Sequence, residues 1–422
     1  MIKEPRVPLY DLIMSLGEAV DLVSPLVAEI HKKVAYIAFR IGEEINLPEE
    51  DKNDLVLAGI LHDIGALSLK ERLDIMEFHY RDEGEHTKKS YLFLEDFEPF
   101  SEIARIVRFH HYPWNNGAGI ECDWEPVPIT SHILNLADRV SVLIDKRGEI
   151  LDQVDTICEK VRELRDTCFA PNIVDAFAAL AEKEYFWFDV VSPSLGDILA
   201  RQVNLETIVL DLDDLLGLAD LFSNIIDFRS KFTATHSCGV AAIAENLAGV
   251  CGFSQRECLM IKIAGYLHDL GKLAVPTEIL EKPGKLTKRE FDIVRRHPYY
   301  TYHTLEPIED LDVINTWGAF HHERLDGSGY PFHHSAHDLS IGSRIVAVAD
   351  VCSALLEDRP YRRGMTASEV MEILQDMARD SKLDYSLVSL LRENFAELNA
   401  KLEAAMAVSA EEYRRFSRLQ HA

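Results

Sequence analysis

One eight-residue pattern occurs twice in this chain: "AGILHDIG" closes at Gly65 and "AGYLHDLG" closes at Gly271, 206 residues later. Around that pair other residues recur in the same order. His31 answers to His236, His86 to His297, the doublet His110–His111 to His321–His322, and Asp138 to Asp350. The offset drifts from 205 to 212, and Val174 falls opposite Val388 at 214, as short insertions in loops would produce. A repeat of this length constrains the fold before any local pattern does. The chain reads as two copies of one domain, residues 1–200 and 201–422.

Each copy has the period of an amphipathic helix: Ile37, Ala38, Ile41 and Ile45 in the first, Ile243, Leu247 and Val250 in the second. Ser254 with Glu257, and Thr287 with Glu290, are capping boxes that open helices. Gly65, Gly271 and Pro276 stand where helices stop. No run alternates as a strand would. The expected fold class is all-α, two tandem helical bundles.

With 71 acidic and 44 basic residues the net charge is −27. That argues against a non-specific binder of DNA or RNA polymer and a protein held on anionic membrane, both of which need basic surface, and no partner of either kind is expected. No apolar run can span a bilayer, and Glu4, Asp11 and Glu18 interrupt the N-terminal stretch where a signal peptide would be apolar. Seven cysteines without a C-x-x-C pair suit a reducing compartment, so the expected location is cytoplasmic.

Ten of the 17 histidines belong to the repeated sets, alongside two aspartates per copy. Packing alone explains such sets poorly, because a buried imidazole without a partner is costly. Metal ligation explains them, and donors of nitrogen and oxygen without thiolate favour Fe or Mn over a Cys-based zinc site. The second set, His236, His268, Asp269, His297, His321, His322 and Asp350, is too large for one ion. Two octahedral ions offer roughly 12 positions. Protein would fill about eight, leaving open positions of the kind that marks a catalytic site. Such a pair can activate a shared water and clamp a phosphoryl group during in-line displacement.

The order His–(His-Asp)–His–(His-His)–Asp resembles the HD superfamily of metal-dependent phosphohydrolases. The second copy resembles its HD-GYP branch through "HDLGK" (268–272), "HHERLDGSGYP" (321–331), "RIVAVADV" (344–351) and "DRPYR" (358–362). The resemblance implies hydrolysis of 3′,5′-cyclic dinucleotides, cyclic di-GMP or 3′,3′-cyclic GMP-AMP, to the linear dinucleotide at a di-iron or di-manganese centre. It makes the seven side chains ligands, with Asp269 the bridge, and sets Lys272 near the scissile phosphate. Arg359 and Arg362 match positions that grip substrate phosphates, and Asp326, Gly327, Gly329, Tyr330 and Pro331 match the substrate loop, where Tyr330 either contacts a base or supports the backbone. Phe232 replaces a glutamate that holds a third metal in some members, so two metals are expected. Thr301 stands where a glycine is usual, which would alter the pocket wall.

The first copy keeps a full ligand set, His31, His62, Asp63, His86, His110, His111 and Asp138, as a second candidate metal site. It has Ala66 in place of Lys272, "HYPWNNGAG" in place of the GYP loop, and no "DRPYR". A regulatory or dimerising domain is expected there, with a homodimer or a signalling protein as partner. Two other readings remain open for the whole chain: a non-enzymatic cyclic-dinucleotide receptor, and a phosphohydrolase of other nucleotides. His333, His334 and His337 read as an exposed loop, "DLDDLL" (211–216) as a solvated face or connection, and "EKEYFWFDVV" (182–191) as core or interface.

Overall fold

The computed structural model describes residues 4–22, 29–78, 85–203, 208–230, 233–358 and 363–418. Among these the chain is helical. Its strands are four two-residue segments, Val7–Pro8 paired antiparallel with Val209–Leu210 and Glu121–Cys122 with Glu125–Pro126. No helix of the described residues is long and apolar enough to cross a membrane.

The chain divides into two compact units, Leu16–Ile208 and Met1–Ser15 with Val209–Ala422. The first fifteen residues thus join the C-terminal unit rather than the copy they precede. Two contacts tie them there: the pairing of Val7 with Leu210, and the Arg6 amide donating to Asp310 Oδ2 at 3.0 Å.

In the first unit, helices Ile30–Glu44 and Glu49–Leu61 cross so closely at Gly59 that a Cβ there would lie 2.5 Å from Ala35 Cα. In the C-terminal unit, His236–Val250 and Gln255–Leu267 cross the same way at Gly265, 2.7 Å from Ala241 Cα. The apolar stripes anticipated from periodicity line these crossings: Val34, Ile37, Ile41, Val240, Ile243 and Leu247 are buried. Ser254 and Thr287 cap their helices through Glu257 and Glu290 as the capping boxes predict. In the acidic stretch 211–216, Asp211 and Asp213 face solvent as expected, while leucines of the stretch turn inward. Asp211 caps helix Leu212–Asp227, and Leu212 and Leu215 go into the core. Carboxylates at a helix N-terminus complement its dipole. In the aromatic stretch, Phe186 and Trp187 are core and Tyr185 and Phe188 are exposed.

A second device recurs where each HD turn ends. Gly271 N donates to Thr301 Oγ1 at 2.9 Å, and that hydroxyl donates to His268 O at 3.0 Å. Ser90 does the same for Gly65 N (2.9 Å) and His62 O (2.8 Å). Thr301 is therefore a fully buried tie and not a pocket wall. Thr301→Val keeps the shape and strands both backbone groups. It should cost about 1–3 kcal/mol in a urea unfolding curve, and an unchanged midpoint would contradict the tie.

Candidate metal centre

In the C-terminal unit the seven candidate ligands arrive from six places: the start of helix His236–Val250, the end of Gln255–Leu267, the turn before Leu270–Ala274, the start of His297–Leu305, the residues after Asp312–Ala319, and the middle of Ile341–Leu356. They converge on Asp269. Its Oδ2 lies 3.2 Å from His268 Nε2 and 3.6 Å from His236 Nε2. Its Oδ1 lies 3.2 Å from His297 Nε2 and 3.9 Å from His321 Nε2. Asp350 closes the ring, with Oδ1 3.4 Å from His236 Nε2 and Oδ2 3.8 Å from His322 Nδ1. Two groups of donors, His236–His268–Asp350 and His297–His321–His322, thus stand on opposite oxygens of one carboxylate.

The imidazoles are oriented from behind. His268, His297 and His321 each place Nδ1 2.7 Å from a backbone carbonyl, of Gly265, Val294 and Gly318. A carbonyl only accepts, so Nδ1 carries the proton and Nε2 presents a lone pair inward. His236 Nδ1 uses Glu357 Oε1 instead, at 3.1 Å, and Ser353 Oγ donates to the same oxygen at 2.6 Å.

Among the described residues, the Nε2 lone pairs of His268, His297 and His321 find no proton donor. His297 Nε2 and His321 Nε2 face each other at 3.2 Å, and buried His268 Nε2 has no hydrogen-bond partner. Facing acceptors around a buried carboxylate fit a cation, and the donor set fits a metal ion.

The electrostatics agree. Burial pushes the His322 imidazole down to about 3 against the pull of Asp350, and burial with His322 and His268 takes His321 well below its ordinary value. Both are neutral ligands at neutral pH. Burial works to raise the Asp269 carboxyl, but His268 and Lys272 hold it well below the usual range.

Lys272 donates directly to Asp269 Oδ2 and is half-buried. Tyr330 packs its ring 4.9 Å from that of His322. Gly329 is needed for close approach, since a Cβ would lie 2.4 Å from Glu323 Cα. Asp326 is exposed and spends Oδ1 on Ser328 N (2.9 Å) and Oγ (2.7 Å), shaping the loop. Pro331 follows a cis peptide bond. Buried Glu323 accepts from Phe332 N (2.7 Å) and His334 N (3.0 Å), which fixes the loop's return. Arg359, Arg362 and Phe232 lie outside the described residues. His333, His334 and His337 join no ligand cluster among the described residues, and His334 stacks on Phe332. Sequence reasoning missed Glu357, Glu323 and Asp227; the last is a buried carboxyl raised to about 6 by burial that accepts from Ser237 N at 2.7 Å.

The first unit repeats the arrangement. Asp63 sets Oδ2 3.1 Å from His62 Nε2 and Oδ1 3.4 Å from His86 Nε2 and 3.7 Å from His110 Nε2. His31–His62–Asp63 and Asp63–His86–His110–His111 form two donor groups sharing that residue. Nε2 of His31, His62 and His110 lacks a hydrogen-bond partner. Asp138 differs from Asp350, because Arg139 donates to its Oδ2 from Nε at 3.1 Å and also from Nη2.

Comparison with known proteins agrees with this architecture. Models described as "HD domain" match residues 30–143 and 220–387. The chain belongs to the HD-domain family. It is similar to 3′3′-cGAMP-specific phosphodiesterase 1 of Vibrio cholerae, 29% identical over 93% of both chains. Phosphodiesterase 3 of the same name and organism is 25% identical over 87% of this chain and 91% of its own. A crystal structure of a cyclic GMP-AMP specific phosphodiesterase from V. cholerae shares the fold, with TM-score 0.60 and 22% identity over 95% of this chain and 98% of that one.

Because Glu357 orients a candidate ligand of this HD domain, Glu357→Ala should weaken metal binding there about 10- to 100-fold, read by calorimetric titration of the metal-free protein with Mn²⁺. Unchanged affinity would remove Glu357 from the site.

Proposed function

We propose that the chain is a metal-dependent phosphodiesterase that opens 3′,5′-cyclic dinucleotides, with 3′,3′-cyclic GMP-AMP favoured over cyclic di-GMP. The reading rests above all on one observation: Asp269 stands between two sets of inward-facing histidine nitrogens, with Lys272 beside it. The relatives that align along the whole tandem chain, named as 3′3′-cGAMP-specific enzymes, support the choice of substrate.

His236, His268, Asp269 and Asp350 would hold one divalent ion, and Asp269, His297, His321 and His322 the other, Fe or Mn by donor type. When bound, two such ions lower the pKa of water and clamp phosphoryl oxygens. The chain's own residues do the rest. Carbonyls 265, 294 and 318 and Glu357 fix the imidazoles. Lys272, which donates to Asp269, would offset charge on the phosphoryl oxygens. Tyr330 walls the open side next to His322. Hydrolysis adds water across one P–O3′ bond and gives the linear dinucleotide.

The first HD domain would hold metal on His31, His62, Asp63, His86, His110, His111 and Asp138, in a regulatory or dimerising role. Ala66 leaves it without the lysine, and Arg139 is already committed to Asp138 and to carbonyls 75 and 77.

With Fe²⁺ or Mn²⁺ supplied under reducing conditions, His268→Ala and Asp269→Ala should each cut turnover at least about 1,000-fold, a loss of roughly 4 kcal/mol in transition-state stabilisation. His62→Ala and Asp63→Ala should retain most of it. Intact cyclic dinucleotide after incubation with metal-loaded wild type would refute the activity, and equal losses in both domains would refute the division of labour.

A further inference from the structure

Among the described residues, two guanidinium groups near the candidate metal ligands of the C-terminal unit have no ion-pair partner. Arg295 follows helix Lys288–Val294, two residues before His297, and holds its guanidinium 4.8 Å from the centre of the Tyr330 ring. Tyr330 in turn lies against His322. Arg324 is two residues after His322, and its backbone runs beneath Gly329, where an added Cβ would approach Arg324 N to 2.4 Å. Its Nη1 is buried without a hydrogen-bond partner. Among the described residues neither guanidinium makes an ion pair or a side-chain hydrogen bond, in a chain where acids outnumber bases 71 to 44.

A buried guanidinium nitrogen with nothing to donate to is costly, and the cost is recovered only when an acceptor arrives. The metal ligands cannot serve, since metal ions add positive charge. An anion supplied from outside would serve as that acceptor. Guanidinium suits a phosphodiester because its planar donors match two oxygens at once. Stacking on Tyr330 holds Arg295 in place and spends none of those donors.

The two copies supply an internal control. At the offset that relates the histidine sets, Gly84 stands for Arg295 and Pro113 for Arg324, just as Ala66 stands for Lys272. Both arginines occur only in the copy that carries Lys272 and the GYP loop.

We propose that Arg295 and Arg324, grouped around Tyr330, hold the second phosphate of the substrate, the one that is not being cut. The inference rests on the cyclic-dinucleotide reading above. Such a ring carries two phosphodiester anions. Placing one on the histidine–aspartate cluster leaves the other to be met by a separate cationic site close by. This assigns the arginines a binding role that is separate from metal ligation and from Lys272.

The test compares two substrates on the metal-loaded, full-length protein: 3′,3′-cyclic GMP-AMP and bis(4-nitrophenyl) phosphate, a diester with a single phosphate. Arg295→Ala and Arg324→Ala should each raise KM for the cyclic dinucleotide roughly 10- to 100-fold, the range for losing a charge-assisted contact. Metal content should not change. The loss on the cyclic dinucleotide should exceed that on the simple diester at least tenfold, by order of magnitude. Arg295→Lys, which keeps the charge and gives up the planar fork, should fall between. An unchanged KM, or equal losses on both substrates, overturns the assignment, as does loss of metal. Failure of the underlying activity looks different, because wild type itself would then leave the cyclic dinucleotide intact.

Discussion

A carboxylate buried between two sets of imidazole lone pairs governs the C-terminal unit. Asp269 is almost wholly removed from water, which alone would favour its neutral form. It stays ionised because His268 and Lys272 stand against it, and Lys272 donates to it directly. His321 and His322 are pushed towards neutrality and lend no positive charge. With Asp350 also ionised and buried, the pocket holds more negative charge than its own cations balance. A site in that condition stores a demand for cations. The same argument accounts for His297 and His321 being held nitrogen to nitrogen, a contact that makes sense only around something positive.

Keeping those groups in place requires a scaffold that the duplication makes visible. Both units cross the two helices before the HD turn at a glycine, end that turn at a glycine pressed against a backbone carbonyl, and lock it with a hydroxyl, Ser90 or Thr301. What differs is charge. Lys272 and Ala66 occupy equivalent places, as do Val351 and Arg139. In the first unit Arg139 holds the outer oxygen of Asp138 and spends its remaining donors on Ile75 O and Glu77 O. The backbone ties are shared between the two units, and the cations beside the aspartates are not.

The candidate ligands, which the structure brings together, were legible because the repeat isolates them: a histidine that recurs in register is distinguishable from one that packs. The all-α class and the caps at Ser254 and Thr287 were legible from local spacing. The partners behind the ligands were not. His236 takes Glu357, 121 residues away, whereas its counterpart His31 takes Asp21 from the helix before it, so no common spacing points to either. Thr301 misled for a related reason. Whether its hydroxyl faces a pocket or a backbone depends on how closely Gly271 lets the two segments approach, which is a property of the packed turn. The pairing of Val7–Pro8 with Val209–Leu210 is two residues long and leaves no periodicity to read.

Net charge then acquires a role beyond solubility. A surface at −27 repels any polyanion, and the repulsion grows with the number of phosphates that must pass near acidic side chains. A polymer brings many phosphates; a cyclic dinucleotide brings two. For a ligand that small, the field of the whole protein matters less than the few cations within a Debye length of about 8–10 Å. Lys272 donates to Asp269, Arg295 lies over Tyr330, and Arg324 acts electrostatically on His322, so each of these cations stands by the candidate ligands or the loop beside them. On the reading proposed above, selectivity for a compact dianion over nucleic acid would follow from where the charge is placed.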